Sequence, residues 1–136
     1  MAHRTPHGNW TMKFKGNLLH CWTSGSTNTE AALAWFEEMK RRVSERADKD
    51  APWAILIDCR EWDICTPEQW DANNFIMTWQ REHGSCFLAV VYSNKLQEYS
   101  AKIGLGDENS SYHVIFFDFD EAYQACLDKL TEAQSQ

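Results

Sequence analysis

The side chains best suited to chemistry follow a short apolar run at residues 54–57. Asp58, Arg60, Glu61 and Asp63 stand close together in the chain. Paired carboxylates beside a guanidinium can transfer protons or hold a divalent cation. They can also form a solvated turn in which the arginine pairs with a neighbouring carboxylate, and this second interpretation is the one we favour.

The cysteines and histidines form no recognisable catalytic or metal-binding pattern. Five cysteines, an odd number without a C-x-x-C motif, indicate reduced thiols in a reducing compartment. Only Cys59 and Cys65 lie in a turn, where an activated thiolate could act as a nucleophile. His83 and Cys86 have the spacing of one zinc ligand pair, but no second pair accompanies them. We therefore expect no metal, no cofactor and no enzymatic activity.

The apolar run and the helix after it must position these side chains. Residues 54–57 are continuously apolar, which is typical of a strand covered on both faces. Thr66 is a good N-cap for the helix that follows, and Pro67 suits its first position. A phosphate on Thr66 would be stabilised by the helix N-terminus, but the N-cap role is the simpler prediction.

The rest of the chain predicts an α/β domain. Residues 10–15 and 18–22 indicate a hairpin, and strands and helices then alternate. Thr27, Asn94 and Asp120 are the predicted N-caps of the other helices, and Gly84 is the predicted end of the second. The expected fold is a mixed five-stranded sheet, an antiparallel hairpin followed by parallel strands, in the order β-β-α-β-α-β-α-β-α. Its predicted core includes the following residues: Ile55, Leu56, Ile57, Leu88, Val90 and Phe116.

Length and charge exclude several classes of function. A chain of 136 residues is expected to form one domain over 1–136, with 1–9 and 131–136 as flexible ends. The net charge of −7 disfavours nucleic acid and anionic membranes as partners. Because no apolar run approaches the roughly 18 residues of a membrane span, we expect a cytoplasmic protein.

The second helix carries more apolar surface than one sheet face requires. Trp70, Phe75 and Trp79 contribute most of this excess. They could thicken the core, form a dimer surface or line an apolar pocket. The sequence leaves these three alternatives open.

Scattered stretches between residues 7 and 130 carry a resemblance to a known family. They are His7-Gly8, Pro52-Trp53-Ala54, Asp58-Cys59-Arg60-Glu61-Trp62, Thr66-Pro67-Glu68, Ala89-Val90-Val91 and Phe117-Asp118-Phe119-Asp120-Glu121-Ala122. These stretches resemble the STAS / SpoIIAA-like family, which includes anti-sigma-factor antagonists and stand-alone bacterial proteins. The fold of that family also matches the lipid-binding SEC14 (CRAL-TRIO) domain.

The resemblance implies a non-enzymatic regulatory or protein-interaction domain, working through a protein partner or a homodimer. The SEC14-like fold implies an alternative, a carrier or sensor of a small apolar ligand or lipid. Anti-sigma-factor antagonists carry a phosphorylated Ser at the start of the second helix. Here the junction reads Ile64-Cys65-Thr66-Pro67, which lacks that Ser.

The predicted functional surface lies where the central strand meets the second helix. Strand carboxyl ends favour ligands in open α/β sheets, and a helix N-terminus there offers free N–H groups. The candidate surface consists of these residues: Asp58, Arg60, Trp62, Asp63 and Thr66.

Overall fold

A computed structural model of the chain describes residues 6–135. Its elements are β1 (Asn9–Lys15), β2 (Leu18–Gly25), α1 (Thr29–Glu45), β3 (Trp53–Trp62), α2 (Pro67–Glu82), β4 (Ser85–Val91), α3 (Lys95–Gly104), a 3-10 turn (Asp107–Asn109), β5 (His113–Phe116) and α4 (Phe119–Gln134). This order confirms the predicted alternation of strands and helices.

The five strands form one sheet in the order β1-β2-β3-β4-β5. The β1–β2 pair is antiparallel and the other three pairs are parallel, which confirms the predicted mixed sheet. Regular structure reaches into both of the ends expected to be flexible, since β1 begins at Asn9 and α4 continues to Gln134. Residues 1–5 and 136, which belong to those ends, lie outside the described residues.

Successive strand residues point to opposite faces of the sheet, and the two faces are covered differently. The α4 face packs strand residues such as Ala54, Leu56 and Ala89 against Ala122 and Cys126 of α4. The α1/α2 face, which α3 also covers, packs the intervening strand residues against α1 and α2 through larger side chains. These include Phe36, Met39, Trp70, Ile76 and Met77.

Most of the predicted core is buried. Ile55, Leu56, Leu88 and Val90 are buried, whereas Ile57 and Phe116 are half-buried against the two apolar clusters. The unbroken apolar runs of β3 and β4 therefore do mark interior strands.

Two predicted N-caps are confirmed and two are shifted. Thr66 and Asn94 accept hydrogen bonds from the third helical residue of α2 and α3, as predicted. In α1 the cap is Asn28 rather than Thr27, because the Asn28 side chain accepts from the Ala31 N–H at 2.9 Å. That leaves the Thr27 hydroxyl available for other partners.

The cap of α4 is Asp118 rather than Asp120. Its Oδ1 accepts from the Glu121 N–H at 2.9 Å. Asp120 instead lies in the first turn, where a carboxylate interacts favourably with the helix dipole. Both acidic residues suit a helix start, and the sequence alone did not distinguish them.

A bulge near the end of β3 changes which residues face which side. Trp22 pairs with Asp58, but Ser24 pairs with Glu61, so β3 holds one more residue than β2 over this interval. An extra residue inverts the alternation of side chains beyond it. Trp62 consequently packs into the α1/α2 cluster, although the parity of Leu56 and Asp58 would place it on the α4 face.

Candidate functional site

Asp58 and Arg60 form a two-pronged ion pair at the carboxyl end of β3. Arg60 Nε lies 2.9 Å from Asp58 Oδ1, and an outer guanidinium nitrogen lies 2.7 Å from Oδ2. The Arg60 N–H also donates to Oδ1 at 3.1 Å. Burial opposes ionisation of Asp58, but these bonds outweigh it, and the pKa of the carboxyl lies below its usual value. The geometry thus gives the arginine–carboxylate pair of the favoured interpretation but not its solvated turn, because both residues lie within β3 and Asp58 is buried.

Trp62 packs on the other face of the sheet, and Asp63 pairs with a different residue. Trp62 is buried, stacks on Tyr92 with ring centroids 6.3 Å apart, and donates from its indole N–H to Thr27 Oγ1 at 2.8 Å. Asp63 is exposed and accepts from the Ser26 hydroxyl at 2.6 Å. Because of the β3 bulge, the five candidate residues do not form one continuous surface.

Thr66, the last of the five, is exposed at the start of α2. Its hydroxyl oxygen accepts from the Gln69 N–H at 3.2 Å. The side chain is therefore engaged in the helix cap, as the sequence predicted.

Arg60 joins a second set of residues at the same end of the sheet. Its guanidinium lies 5.6 Å from the ring centroid of Phe119, and the ammonium of Lys95 lies 4.5 Å from that of Phe117. Cations in these positions are attracted to the ring face. The Ser93 hydroxyl, which donates to the Arg60 carbonyl at 2.9 Å, connects the ends of β3 and β4.

Helix α3 extends this region with an exposed apolar stripe. Leu96, Tyr99 and Ile103 recur at helical spacing on one face and are 60%, 64% and 67% exposed. We define the carboxyl-edge surface as the following residues: Arg60, Lys95, Leu96, Tyr99, Ile103 and Phe117. Apart from Arg60, its residues were not among the predicted site residues, although the i, i+3, i+7 spacing in α3 is a signal of an apolar helix face.

Gln97 fixes α3 to the end of β3. Its side-chain N–H groups donate to the carbonyls of Cys59, at 2.9 Å, and Trp62. Its Oε1 accepts from the Ser93 N–H at 2.7 Å. A buried amide that uses both its donors and its acceptor holds its neighbours in one arrangement, so Gln97 is a positioning residue for the carboxyl-edge surface.

A cavity of about 110 Å³ lies on the α1/α2 face. Half-buried Trp10, Thr23 and Trp35 stand on one side of it, and buried Trp70, Leu88 and His113 line it as well. Of the three apolar residues predicted on α2, only Trp70 lines this cavity. Phe75 and Trp79 pack edge-on against Phe36 of α1, with centroids 5.9 and 5.4 Å away.

Several polar atoms of the cavity's residues are buried and unpaired. Within residues 6–135 these are Trp35 Nε1, Gln69 Oε1, Trp70 Nε1 and His113 Nδ1. Buried polar atoms normally have a hydrogen-bond partner. Burial lowers the pKa of His113 to about 4, so its ring is neutral near pH 7.

Thr27 lies beside this cavity and accepts two hydrogen bonds. The Trp62 indole and the Gln69 amide both donate to its hydroxyl, at 2.8 and 2.6 Å. The residue that the sequence predicted as a helix cap therefore joins β3, α2 and the loop before α1.

The two candidate thiol nucleophiles are not activated. Burial raises the pKa of Cys59 and of Cys65 to about 12 in each case. The reactive thiolate is therefore scarce near neutral pH. The described residues also contain no group of three or more histidine, cysteine or acidic side chains placed to hold a metal ion. None of the helices in that part of the chain combines the length and apolarity needed to cross a membrane.

No protein-family model and no curated protein matches the sequence. Solved structures do match. An anti-sigma factor antagonist from Mycobacterium paratuberculosis superposes with a TM-score of 0.62 at 14% identity, covering 88% of this chain and 94% of that one. An uncharacterised protein with a SpoIIAA-like fold from Shewanella loihica gives 0.60 at 14% identity, covering 93% of this chain and 98% of the other. The chain thus has the SpoIIAA-like fold that its sequence pattern resembles.

Proposed function

We propose that this chain is a non-enzymatic interaction domain of the STAS type, and that its carboxyl-edge surface docks a partner protein. The observation that carries the proposal is the apolar stripe of α3, which stands exposed beside the strand ends. Three large side chains in a row on one exposed helix face form a contiguous apolar patch, and such patches mark interaction sites.

The position of the stripe supports the proposal. In open α/β sheets, ligands favour the carboxyl ends of the strands. Arg60 and Phe117 lie there, and Phe117 contacts Lys95 at the start of α3. Arginine and aromatic residues are enriched among the anchors of protein interfaces. A partner would place apolar side chains against Leu96 and Tyr99.

The fold likeness supports a protein as the partner. One of the matching structures is named an anti-sigma factor antagonist, a name that describes action on another protein. Because fold alone does not determine function, the main support for the proposal is the exposed surface of this chain.

We propose further that docking is not switched by phosphorylation at the start of α2. The junction lacks the Ser of the anti-sigma-factor antagonists, and the Thr66 hydroxyl is used as the helix cap. Asp63 and Thr66, which together with Arg60 are the exposed members of the sequence-predicted surface, remain proposed as the border of the interface.

The test uses matched exposed residues on two different helices. Partners captured from an extract of the native host would be identified, purified and titrated against Leu96→Ser/Tyr99→Ser. Loss of buried anchors at an interface weakens binding by about tenfold or more. Leu33→Ser is the control, because Leu33 is an apolar residue that is 50% exposed on α1, a helix that contributes nothing to the carboxyl-edge surface.

Two results would contradict the proposal. One is equal loss of binding in Leu33→Ser and in the α3 variant. The other is unchanged binding in the α3 variant while it remains folded. Native mass spectrometry tests the homodimer alternative. A wild-type dimer that dissociates in the α3 variant would make a second copy of this chain the partner.

A further inference from the structure

The cavity on the α1/α2 face is a second feature with a functional meaning, independent of the carboxyl-edge surface. We propose that it binds a neutral, single-ring aromatic molecule with a hydroxyl group, a ligand of the phenol class. The proposal rests on the size of the cavity, the charge of its lining and the polar atoms around it.

The volume limits the ligand to about one ring. A closed cavity of about 150 Å³ in an engineered protein core holds benzene. This one is smaller, about 110 Å³, but it is partly open to solvent. Pockets for drug-sized ligands are about 300–1,000 Å³. A lipid chain of the kind that SEC14-like proteins carry is therefore too large for the cavity as it stands.

The lining excludes a charged ligand. Among the described residues that line the cavity, none is Asp, Glu, Lys or Arg. A charge buried without a counter-charge costs far more than a small ligand can recover. The aromatic walls, which include Trp35, Trp62, Trp70 and Tyr92, suit a flat ring because aromatic pairs stack or meet edge to face.

The unpaired atoms of the lining residues include donors and an acceptor, which suits a group that both donates and accepts. The indole N–H groups of Trp35 and Trp70 can only donate, whereas Gln69 Oε1 can only accept. A hydroxyl does both with one oxygen. These atoms are buried in the cavity wall and do not face the void, so the side chains have to turn to reach a bound hydroxyl. Each bond made would then satisfy an atom that is otherwise buried without a partner.

The indole N–H signals of the protein provide the test. In a ¹⁵N-labelled sample the signals of Trp35, Trp70 and Trp79 are assigned from single Trp→Phe variants, and phenol, toluene and benzoate are titrated at pH 7. We expect phenol to shift the Trp35 and Trp70 signals saturably, with a Kd on the order of 0.1–1 mM for so small a ligand. Trp79, which stacks on His83 outside the cavity, should not move.

The three probes test the contributions of the ring, the hydroxyl group and the charge separately. Toluene has the ring without the hydroxyl and should bind roughly tenfold more weakly than phenol, the effect of one or two hydrogen bonds. Benzoate has the ring with a charge and should give no saturable shift. Absence of saturation by phenol, or equal binding of all three compounds, would overturn the proposal.

Two variants locate the binding. Ala32→Leu places extra carbon atoms in the cavity and should abolish the phenol shifts. Ala34→Leu makes the same change on α1 outside the lining and should leave them unchanged. If Ala32→Leu does not fold, Gln69→Leu is used in its place. This variant lacks the acceptor Oε1 and should therefore lose the preference for phenol over toluene. The α3 variant Leu96→Ser/Tyr99→Ser should bind phenol normally, so that failure of this proposal and failure of partner docking give different results.

Discussion

The two faces of the sheet solve the same packing problem with different side chains. The α4 face is closed by one helix, and small residues such as Ala54, Ala89 and Ala122 let it approach the strands. The α1/α2 face uses tryptophans and other large side chains, yet it leaves the cavity unfilled. Large rigid rings fill volume only where their shapes match, so a face rich in them can hold a void that a face of small residues avoids.

The largest expected effect comes from matched leucines on the two faces. Leu56 is fully buried on the α4 face, and Leu88 is almost fully buried beside the cavity. Leu56→Ala should lower the free energy of unfolding by about 3–5 kcal/mol, the upper part of the usual range. Leu88→Ala should cost about 2–3 kcal/mol, because a side chain next to a void makes fewer contacts to lose.

Urea denaturation measures both values. A loss below about 0.5 kcal/mol for Leu56→Ala would contradict its place in an interior strand. An equal loss for Leu88→Ala would show that the two faces are equally well packed, and a larger one would show that the cavity does not weaken packing around Leu88.

Acid should weaken the α1/α2 face first. Burial lowers the pKa of His113 from 6.5 to about 4, so below pH 6.5 the unfolded chain binds a proton that the folded one does not. The stabilisation is complete above pH 6.5 and is lost as the pH falls toward 4, by about 2–3 kcal/mol. The pKa of the Asp58 carboxyl is also lowered. Its stabilising effect on the α4 face is therefore lost only when the pH falls below the ordinary pKa of an aspartate, near 4.

The check is the slope of unfolding free energy against pH between 6.5 and 4. His113→Gln should remove most of that slope. His20→Gln is the control, since His20 is half-buried and its pKa is also lowered. If His20→Gln flattens the curve more than His113→Gln does, the α4 side carries the acid sensitivity.

Gly104→Ala tests how far the cavity wall can move. A Cβ at Gly104 would lie 2.2–2.5 Å from atoms of the Trp70 ring, so the ring must shift toward the void. We expect a loss of about 1–2 kcal/mol, the usual effect of overpacking. In a Trp70→Leu background the same change should cost less, and a double-mutant cycle should give a coupling above about 0.5 kcal/mol. Additive effects would mean that Trp70 does not receive the strain.

The smallest effects should come from the helix caps on the two faces. Thr66→Ala on α2 and Asp118→Ala on α4 should each cost about 1 kcal/mol in thermal or urea unfolding. Asp118→Ala should cost slightly more, because its carboxylate also interacts with the helix dipole. Thr66→Ser should be nearly silent. Stoichiometric phosphate on Thr66 in protein from the native host would contradict a purely structural role.

The element order was predictable because apolar runs and capping residues are local signals. The runs at 54–57 and 86–91, and the caps Thr66 and Asn94, were enough to establish it. The site was less predictable, because the β3 bulge depends on pairing with β2, which no local pattern in β3 reveals. The cavity depends on buried polar residues such as Gln69, Gln80 and His113, whose types alone indicate surface positions.

The bulge in β3 also affects how distant relatives of this chain should be aligned. A substitution there leaves the inside–outside phase of the strand intact, but a one-residue deletion between Asp58 and Glu61 would reverse it for Trp62. Two chains with this fold can therefore have the same strands and still differ in which face of the sheet the residues after this point occupy. A gap placed one residue away would compare a cavity residue of one protein with a surface residue of the other.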